Sequence, residues 1–215
     1  MRRLFVGSCV TLALGISGQG ANLVTNGSFE AETVPLNLFL ASTTPTGWTA
    51  YGSQAPDILT VGYSGGVAAD GDDYVDLIGG GTGVLPAGIQ QSVNLVAGIS
   101  YTVSFAYNGD GNSPRELQYS LGSLLSGTID VSSLNNFSTI NKPVTVWQLF
   151  AATVTPAVSG SYTLALYTDT PGATFGSPYV DNVSVEAVEV PEAAPSGILV
   201  LLGAGGVALI RRRRA

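Results

Sequence analysis

The amino-acid sequence predicts an all-β protein that folds as a two-sheet sandwich, most simply a jelly roll. Only 11% of the 215 residues are charged, and the chain holds 28 Gly and 11 Pro, which disfavours helices stabilised by ion pairs. Short stretches of alternating apolar and polar residues recur between clusters of Gly, Asn, Pro and Ser, without a helical period. A chain of this length can bury a core without disulfide bonds.

The strand candidates follow one another through residues 22–188, which we take as the folded domain. The clearest is ISYTVSFAY, in which Ile99, Tyr101, Val103, Phe105 and Tyr107 share one face. The other candidates are NLVTNGSFE, DYVDLIG, GIQQSVNL, RELQYSLG, TVWQLFAATV, SYTLALYTD and PYVDNVSVEAV. Roughly eight to eleven strands with frequent turns are typical of a sandwich.

Residues 1–21 have the pattern of a secretory signal peptide. Arg2 and Arg3 form the basic start, an apolar run follows from Leu4 to Ile16, and small residues occupy the region where cleavage would occur. The sequence therefore predicts export of the domain that follows.

The C-terminal residues 189–215 predict a membrane segment. No charge occurs from Ala193 to Ile210, which is 18 residues, and a helix of that length measures about 27 Å, close to the ~30 Å of a bilayer's hydrocarbon. We expect a transmembrane helix over 196–210, held by the cationic residues Arg211, Arg212, Arg213 and Arg214. These arginines favour a cytoplasmic C-terminus, which places the domain outside.

The same segment resembles the PEP-CTERM sorting signal of bacterial exported proteins. Pro191 and Glu192 precede a short apolar helix and a terminal Arg cluster, with Ala193 where the second proline usually stands. The resemblance implies recognition by an exosortase-type processing enzyme and cleavage nearby. The protein would be anchored transiently in the inner membrane and then reach the cell surface or extracellular matrix.

Several blocks of the domain also resemble one family. NLVTNGSFE, GWTAYG, DGDDYVDLIG, GIQQSVNLVAGISYTVSFAYNGD and YVDNVSVE are similar, in this order, to galactose-binding-like jelly rolls related to carbohydrate-binding modules, including choice-of-anchor domains. The resemblance implies a sandwich that binds sugars or packs in an extracellular matrix, without catalysis.

One carboxylate of the domain needs a partner if strict alternation holds. Alternation places Asp181 on the face of Val183 and Val185, where an uncompensated charge is costly. In related carbohydrate-binding modules a structural calcium ion is held by a Glu of the first strand and an Asp of the last, which match Glu30 and Asp181. The alternative is that Asp181 accepts backbone N–H bonds or faces water at a strand end.

Composition excludes several functions. The chain has no His, and its one Cys is Cys9 in the leader, so histidine or cysteine catalysis and thiolate metal sites are ruled out for the exported domain. Only Arg115 and Lys142 are basic between residues 22 and 190, against nearly all of the 15 acidic residues, which argues against a nucleic-acid partner. We therefore expect no enzyme.

The resemblance implies an extracellular polysaccharide as the ligand, which would be bound by aromatic rings stacked on the apolar faces of its sugars. The binding candidates are Trp48, Tyr51, Tyr107, Arg115 and Tyr119. Two alternatives stay open. The domain can be a structural acidic matrix protein without a specific ligand, or a small glycoside hydrolase that uses paired carboxylates among Glu30, Asp76, Asp110, Glu116 and Asp181.

Overall fold

The computed structural model describes residues 20–79, 84–109, 116–134, 146–169 and 177–188. Within these residues the chain forms eleven strands: β1 (Phe39–Leu40), β2 (Thr49–Gly52), β3 (Asp57–Thr60), β4 (Asp73–Asp76), β5 (Ala87–Leu95), β6 (Tyr101–Gly109), β7 (Glu116–Leu121), β8 (Leu125–Asp130), β9 (Gln148–Val154), β10 (Gly160–Thr168) and β11 (Pro178–Ala187). A single 3-10 turn, Tyr63–Gly65, joins β3 to the loop before β4.

The strands form two antiparallel sheets. The six-stranded sheet has the order β1-β3-β4-β11-β6-β9, and the five-stranded sheet has the order β2-β5-β10-β7-β8. Their inner faces enclose one apolar core, which includes Phe29, Ile89, Val103, Phe105, Leu117, Leu121, Leu164, Leu166 and Val185. This arrangement confirms the predicted all-β two-sheet sandwich of the jelly-roll type.

Alternation correctly placed the interior side chains of β6 and β10, but Ile99, predicted on the same face as Val103, precedes β6 and is exposed. Val103 and Phe105 of β6 are fully buried, and Leu164 and Leu166 of β10 face the same core. The stretch 22–30 is not a strand, although the Leu23 N–H donates to the Val185 carbonyl at 2.9 Å. Strands β1, β2, β3 and β8 escaped prediction, because short or weakly patterned strands depend on their neighbours rather than on their own residues.

A β-bulge in β11 corrects the prediction about Asp181. Asp181 pairs with Ala106, but the next regular pair is Ser184 with Ser104, so one extra residue lies between them on β11. Asn182, with φ of 47°, takes up this extra residue. Val180 and Val183 therefore both face the core, and Asp181 lies on the opposite face from Val183 and Val185.

Several predictions concern residues outside the described ranges. They are the leader up to residue 19, the sorting residues Pro191 and Glu192, the Arg cluster 211–214, the transmembrane helix 196–210, and Arg115. In the described ranges no helix is long and apolar enough to cross a membrane.

Candidate functional site

The outer face of the five-stranded sheet carries a row of side chains that we call the tyrosine row. Direct pairing across β2, β5, β10, β7 and β8 brings together Tyr51, Gly88, Tyr167, Gln118 and Thr128. Residues paired directly across antiparallel strands point to the same side of the sheet. Because Leu166 next to Tyr167 is fully buried, the row faces away from the core.

Two tyrosines form an aromatic platform in this row. The rings of Tyr51 and Tyr167 stack with centroids 4.1 Å apart and an interplanar angle of 23°. Both side chains are half-buried, so part of each ring stays accessible from outside the sheet. Burial, followed by the neighbouring Tyr51, raises the pKa of Tyr167, which keeps its hydroxyl neutral and able to donate.

Gly88 makes the platform possible because it lies between the two tyrosines, on strand β5 between β2 and β10. A Cβ at this position would lie 2.7 Å from the Cβ of Tyr167 and 2.3 Å from the carbonyl oxygen of Leu166. Real side chains do not approach so closely, so any larger residue would push Tyr167 away from Tyr51. The glycine is therefore required by the close packing of Tyr167 across β5.

Replacing Gly88 with Ala is expected to lower the free energy of unfolding by about 1–3 kcal/mol, the usual cost of overpacking. The obstacle includes the backbone of Leu166, which cannot rotate away as a side chain can. The matched control is Gly160→Ala at the start of β10, where an added Cβ meets nothing within 4 Å. Urea unfolding of both variants checks the difference, and equal midpoints would contradict it.

An amide and a carboxylate adjoin the platform. The Gln118 side-chain amide donates to Asp169 Oδ1, and the Asp169 backbone N–H donates back to Gln118 Oε1 at 3.2 Å. Gln118 is the direct partner of Tyr167 across the sheet, and Asp169 follows the end of β10. These two hydrogen bonds fix the orientation of the amide beside the aromatic rings, so the polar group is already in place before a ligand binds.

One of the two neighbouring rows on this face carries no charged side chain. The next row across the sheet consists of Thr49, Gln90, Ala165, Ser120 and Ser126. Hydroxyl and amide groups of this kind can both donate to and accept from sugar hydroxyls. A platform of aromatic rings beside such groups is suited to a polyhydroxylated ligand.

Only one of the described binding candidates from the sequence belongs to this face. Trp48 is 6% exposed, packs against Phe29 with centroids 5.7 Å apart, and donates its indole N–H to the Asn26 carbonyl. Tyr107 and Tyr119 pack against the core from the inside. These three residues pack with the core, whereas Tyr51 lies in the tyrosine row.

Sequence reasoning missed Tyr167, Gln118 and Asp169 as site residues. The signal for Tyr167 was present, since alternation in SYTLALYTD places it opposite Leu164 and Leu166. No sequence signal shows that Tyr51 stacks on it, because the two residues are brought together only through pairing of β2 and β10 with β5.

Glu30 and Asp181, the predicted calcium ligands, both hold the acidic loop before β4. Glu30 Oε1 accepts the backbone N–H groups of Asp72 at 2.8 Å and Asp73 at 2.7 Å. Asp181 Oδ2 accepts those of Ala69 at 2.7 Å and Asp70 at 3.0 Å. The two carboxylates thus bind opposite halves of one loop, as in the alternative interpretation of Asp181.

A calcium ion would need more ligands than these two carboxylates. Among the residues that the structure describes, no group of three or more Asp, Glu, His or Cys side chains is arranged to hold a metal ion. Calcium takes roughly six to eight oxygen ligands, so most would have to be backbone carbonyls and water. The calcium site stays a prediction.

A second pair of carboxylates bears on the hydrolase alternative. Asp57 of β3 pairs directly with Asp76 of β4, and burial raises the pKa of Asp76 to about 6. Asp57 Oδ1 accepts the Ser42 N–H at 2.7 Å, and Asp76 Oδ1 accepts the Ile78 N–H at 2.9 Å. Both carboxylates therefore hold loop backbone, which is a structural use rather than an open cleft for a glycoside.

The two-sheet sandwich presents aromatic rings and polar groups together on one sheet face. A family model described as carbohydrate binding domain, CBM_4_9, matches residues 21–174. The match covers most of the chain, and the chain belongs to this family of carbohydrate-binding domains. The family binds carbohydrate and is non-catalytic.

The chain is similar to halomucin from Haloquadratum walsbyi, with 30% identity over 202 residues that cover 90% of this chain. The match spans 2% of the length of halomucin. The similarity therefore concerns one small region of a much longer protein.

Solved structures share the fold at low sequence identity. The Stig cyclase Fisc from Fischerella sp. TAU has a TM-score of 0.55 at 16% identity, over 79% of this chain and 98% of that one. TmCBM61 in complex with β-1,4-galactotriose has a TM-score of 0.50 at 16% identity, over 77% of this chain and 97% of that one. The arabinose-bound α-L-arabinofuranosidase MgGH51 has a TM-score of 0.53 at 14% identity, over 80% of this chain and 27% of that one. At these identities the likeness shows the fold alone, which binding modules share with some enzymes.

Proposed function

We propose that this protein is an exported, non-catalytic module that binds a neutral polysaccharide along the tyrosine row. The observation that carries the proposal is the stacked pair Tyr51 and Tyr167 beside the fixed amide of Gln118. Membership of the carbohydrate-binding family supports it independently of this geometry.

The chemistry of the row suits a sugar chain. The C–H groups on the faces of a pyranose ring can pack on Tyr51 or Tyr167, and burying this apolar area is favourable by about 25 cal/mol per Å². The amide of Gln118 and the carboxylate of Asp169 can bind the hydroxyl groups at the ring edge. Neighbouring hydroxyl side chains extend the polar surface along the sheet.

Electrostatics favours an uncharged ligand. The described residues include no Lys, Arg or His, while Glu116, Asp130 and Asp169 lie at the same end of the five-stranded sheet as the tyrosine row. An anionic polysaccharide that carries uronate or sulfate groups would approach like charges without a described cationic partner. A neutral glycan does not face this cost.

The predicted leader and C-terminal segment support delivery of the module to the outside of the cell. Pro191, Glu192 and the Arg cluster match the sorting signal that an exosortase-type enzyme would process. On this account the protein is anchored briefly in the inner membrane and then resides at the cell surface or in the matrix.

A panel of immobilised polysaccharides tests the proposal. The protein is expected to retain at least one neutral glycan, and its binding to uronate-rich or sulfated chains should be weaker in low salt. If the protein binds none of the immobilised glycans, the result would favour the structural alternative, an acidic matrix protein without a specific ligand. Release of reducing ends from any glycan would instead support the hydrolase alternative.

Calcium binding at Glu30 and Asp181 is a separate proposal with its own experiment. If the site exists, calcium at about 100 times its dissociation constant adds roughly 2.7 kcal/mol to the free energy of unfolding. The melting temperature should then be higher with calcium than with a chelator, and Glu30→Gln should abolish the difference. Glu116→Gln, in β7 of the other sheet, serves as the control that keeps it. Identical melting temperatures in calcium and chelator would remove both residues from the list of metal ligands.

A further inference from the structure

One end of the sandwich exposes aliphatic side chains. Val158 is 70% exposed, Val96 is 56% exposed, Ile99 is 43% exposed and Val188 is 41% exposed. We call these four residues the apolar end. They lie on the β5–β6 turn, on the β9–β10 turn and directly after β11.

Hydrogen bonds join these segments into one surface. The Gly98 N–H donates to the Pro156 carbonyl at 2.9 Å, and the Ala97 N–H donates to Ser159 Oγ at 2.8 Å. The Val188 N–H donates to the Ser100 carbonyl at 2.8 Å, which ties the end of the domain to the same turn. The three segments that carry the four aliphatic side chains therefore adjoin one another at one end of the sandwich.

The two turns of the apolar end carry no charge. Residues 96–100 and 155–159 contain no acidic or basic residue, whereas Glu186 and Glu189 flank Val188 in sequence. A contiguous exposed apolar patch marks a surface that meets another apolar phase. Because the two turns hold no charged group, their burial against an apolar phase does not require an ion to be desolvated.

The short distance in sequence from the apolar end to the predicted membrane segment indicates that the apolar phase is the lipid bilayer. Val188 lies at the apolar end, and the uncharged run that the sequence predicts to enter the membrane begins at Ala193. Only four residues, 189–192, lie between them, so Val188 and Ala193 are at most about 18 Å apart when this stretch is fully extended. A membrane segment starting at Ala193 would therefore hold the apolar end close to the lipid headgroups.

We propose that the apolar end is a lipid-contacting surface that rests on the bilayer while the C-terminal segment is in the membrane. The proposal depends on the predicted membrane segment and is independent of sugar binding. Val96, Ile99, Val158 and Val188 pack into the interfacial region, as the apolar faces of membrane-surface proteins do.

This orientation points the tyrosine row away from the membrane. Strand β10 begins at the apolar end with Gly160 and reaches Tyr167 seven residues later. At about 3.3 Å per residue, the row would lie roughly 23 Å further from the lipid. The glycan-binding face would thus stay open to the cell exterior while the protein is anchored.

Lipid contact can be measured on the full-length chain in phosphatidylcholine vesicles. On a Cys9→Ser background, a single cysteine replaces Val158 and carries the environment-sensitive dye NBD. Thr128→Cys is the matched control, because Thr128 is exposed and lies in the tyrosine row. Replacing Val158 leaves the bond from the Tyr162 hydroxyl to the Val158 backbone carbonyl intact, and unchanged melting temperatures confirm that both labelled chains are folded.

NBD at position 158 is expected to shift to the blue in vesicles and to lose at least half of its emission when the lipids carry doxyl quenchers. The label at position 128 should show neither change. Water-like emission at both positions, or failure of the chain to float with the vesicles, would overturn the proposal. A blue shift at position 158 without quenching by doxyl lipid would also overturn it, since that result indicates contact with a second copy of the chain.

Discussion

Lowering the pH from 8 to 5 without calcium is expected to raise the melting temperature of this protein. Burial raises the pKa of Asp73 and of Asp76 to about 6, and that of Asp181 to about 7. A carboxyl group whose pKa is higher in the folded than in the unfolded state binds more protons when folded. Its contribution to stability is present at low pH and is lost as the pH rises through the folded pKa.

Asp76 shows the size of the expected effect. Between pH 8 and pH 5 its folded-state pKa of about 6 is passed by about one pH unit, which corresponds to about 1.4 kcal/mol and a few degrees of melting temperature for a domain of this size. Asp181, whose pKa is raised further, contributes more over the same range. The pKa of Asp76 is raised by burial, opposed by hydrogen bonds from Ser177, Gly79 and Ile78 and reinforced by the charge of Asp57. Acid should therefore stabilise this protein over a range in which most proteins are insensitive or begin to weaken.

Asp76→Asn tests the assignment directly. The remaining oxygen of Asn can still accept the backbone N–H bonds of Ile78 and Gly79, so the variant removes the charge and keeps these contacts. We expect the variant to be more stable than the natural sequence at pH 8 and to show a shallower pH dependence.

The control for this experiment is Asp130→Asn, which changes a fully exposed carboxylate on β8. It should leave the slope of melting temperature against pH nearly unchanged. A melting temperature that falls steadily from pH 8 to pH 5 in the natural sequence would contradict the role given to the buried carboxyl groups. Thermal melts in a chelating buffer supply all of these measurements.

Tyr167→Ala is expected to weaken glycan binding by roughly thirtyfold, which corresponds to about 2 kcal/mol. The change removes one ring of the platform and leaves Tyr51 without the partner that orders it. The loss of contact area and the loss of order in the Tyr51 ring both lower the affinity for the glycan. Isothermal titration with the glycan retained on the panel gives the affinity.

Tyr162→Ala provides the matched control on the same strand. Tyr162 is half-buried, packs against the core side and donates its hydroxyl to the Val158 carbonyl. Its loss should lower the melting temperature but leave glycan affinity within a factor of about two, since it lies on the opposite face of β10. Equal losses of affinity in both variants would place the binding face elsewhere.

Sequence reasoning was strongest where a local period decides the outcome. The alternation of Tyr101, Val103 and Phe105 places these side chains in the core because successive residues of a strand point to opposite sides. Low charge and frequent Gly and Pro similarly indicated an all-β sandwich. The ordered blocks of residues 22–187 pointed to the carbohydrate-binding family that the family comparison shows.

The candidate site was harder to predict, because its residues are separated in sequence and joined only by strand pairing. Tyr51 was selected for its residue type, whereas Trp48, Tyr107 and Tyr119 were selected on the same ground and are packed inward. The alternation of side chains shows which residues of a strand share a face, but it does not show which of the two faces packs against the core.

The sequence by itself determined the class of fold, the acidic character of the domain and the residue types available to hold a sugar. Tertiary structure decided that Tyr51 meets Tyr167 across Gly88 and that Asp181 leaves the face of its valine neighbours. The physical reason is that a period of two residues is reset by one extra residue in a bulge, and that contacts across a sheet depend on the register of several strands at once.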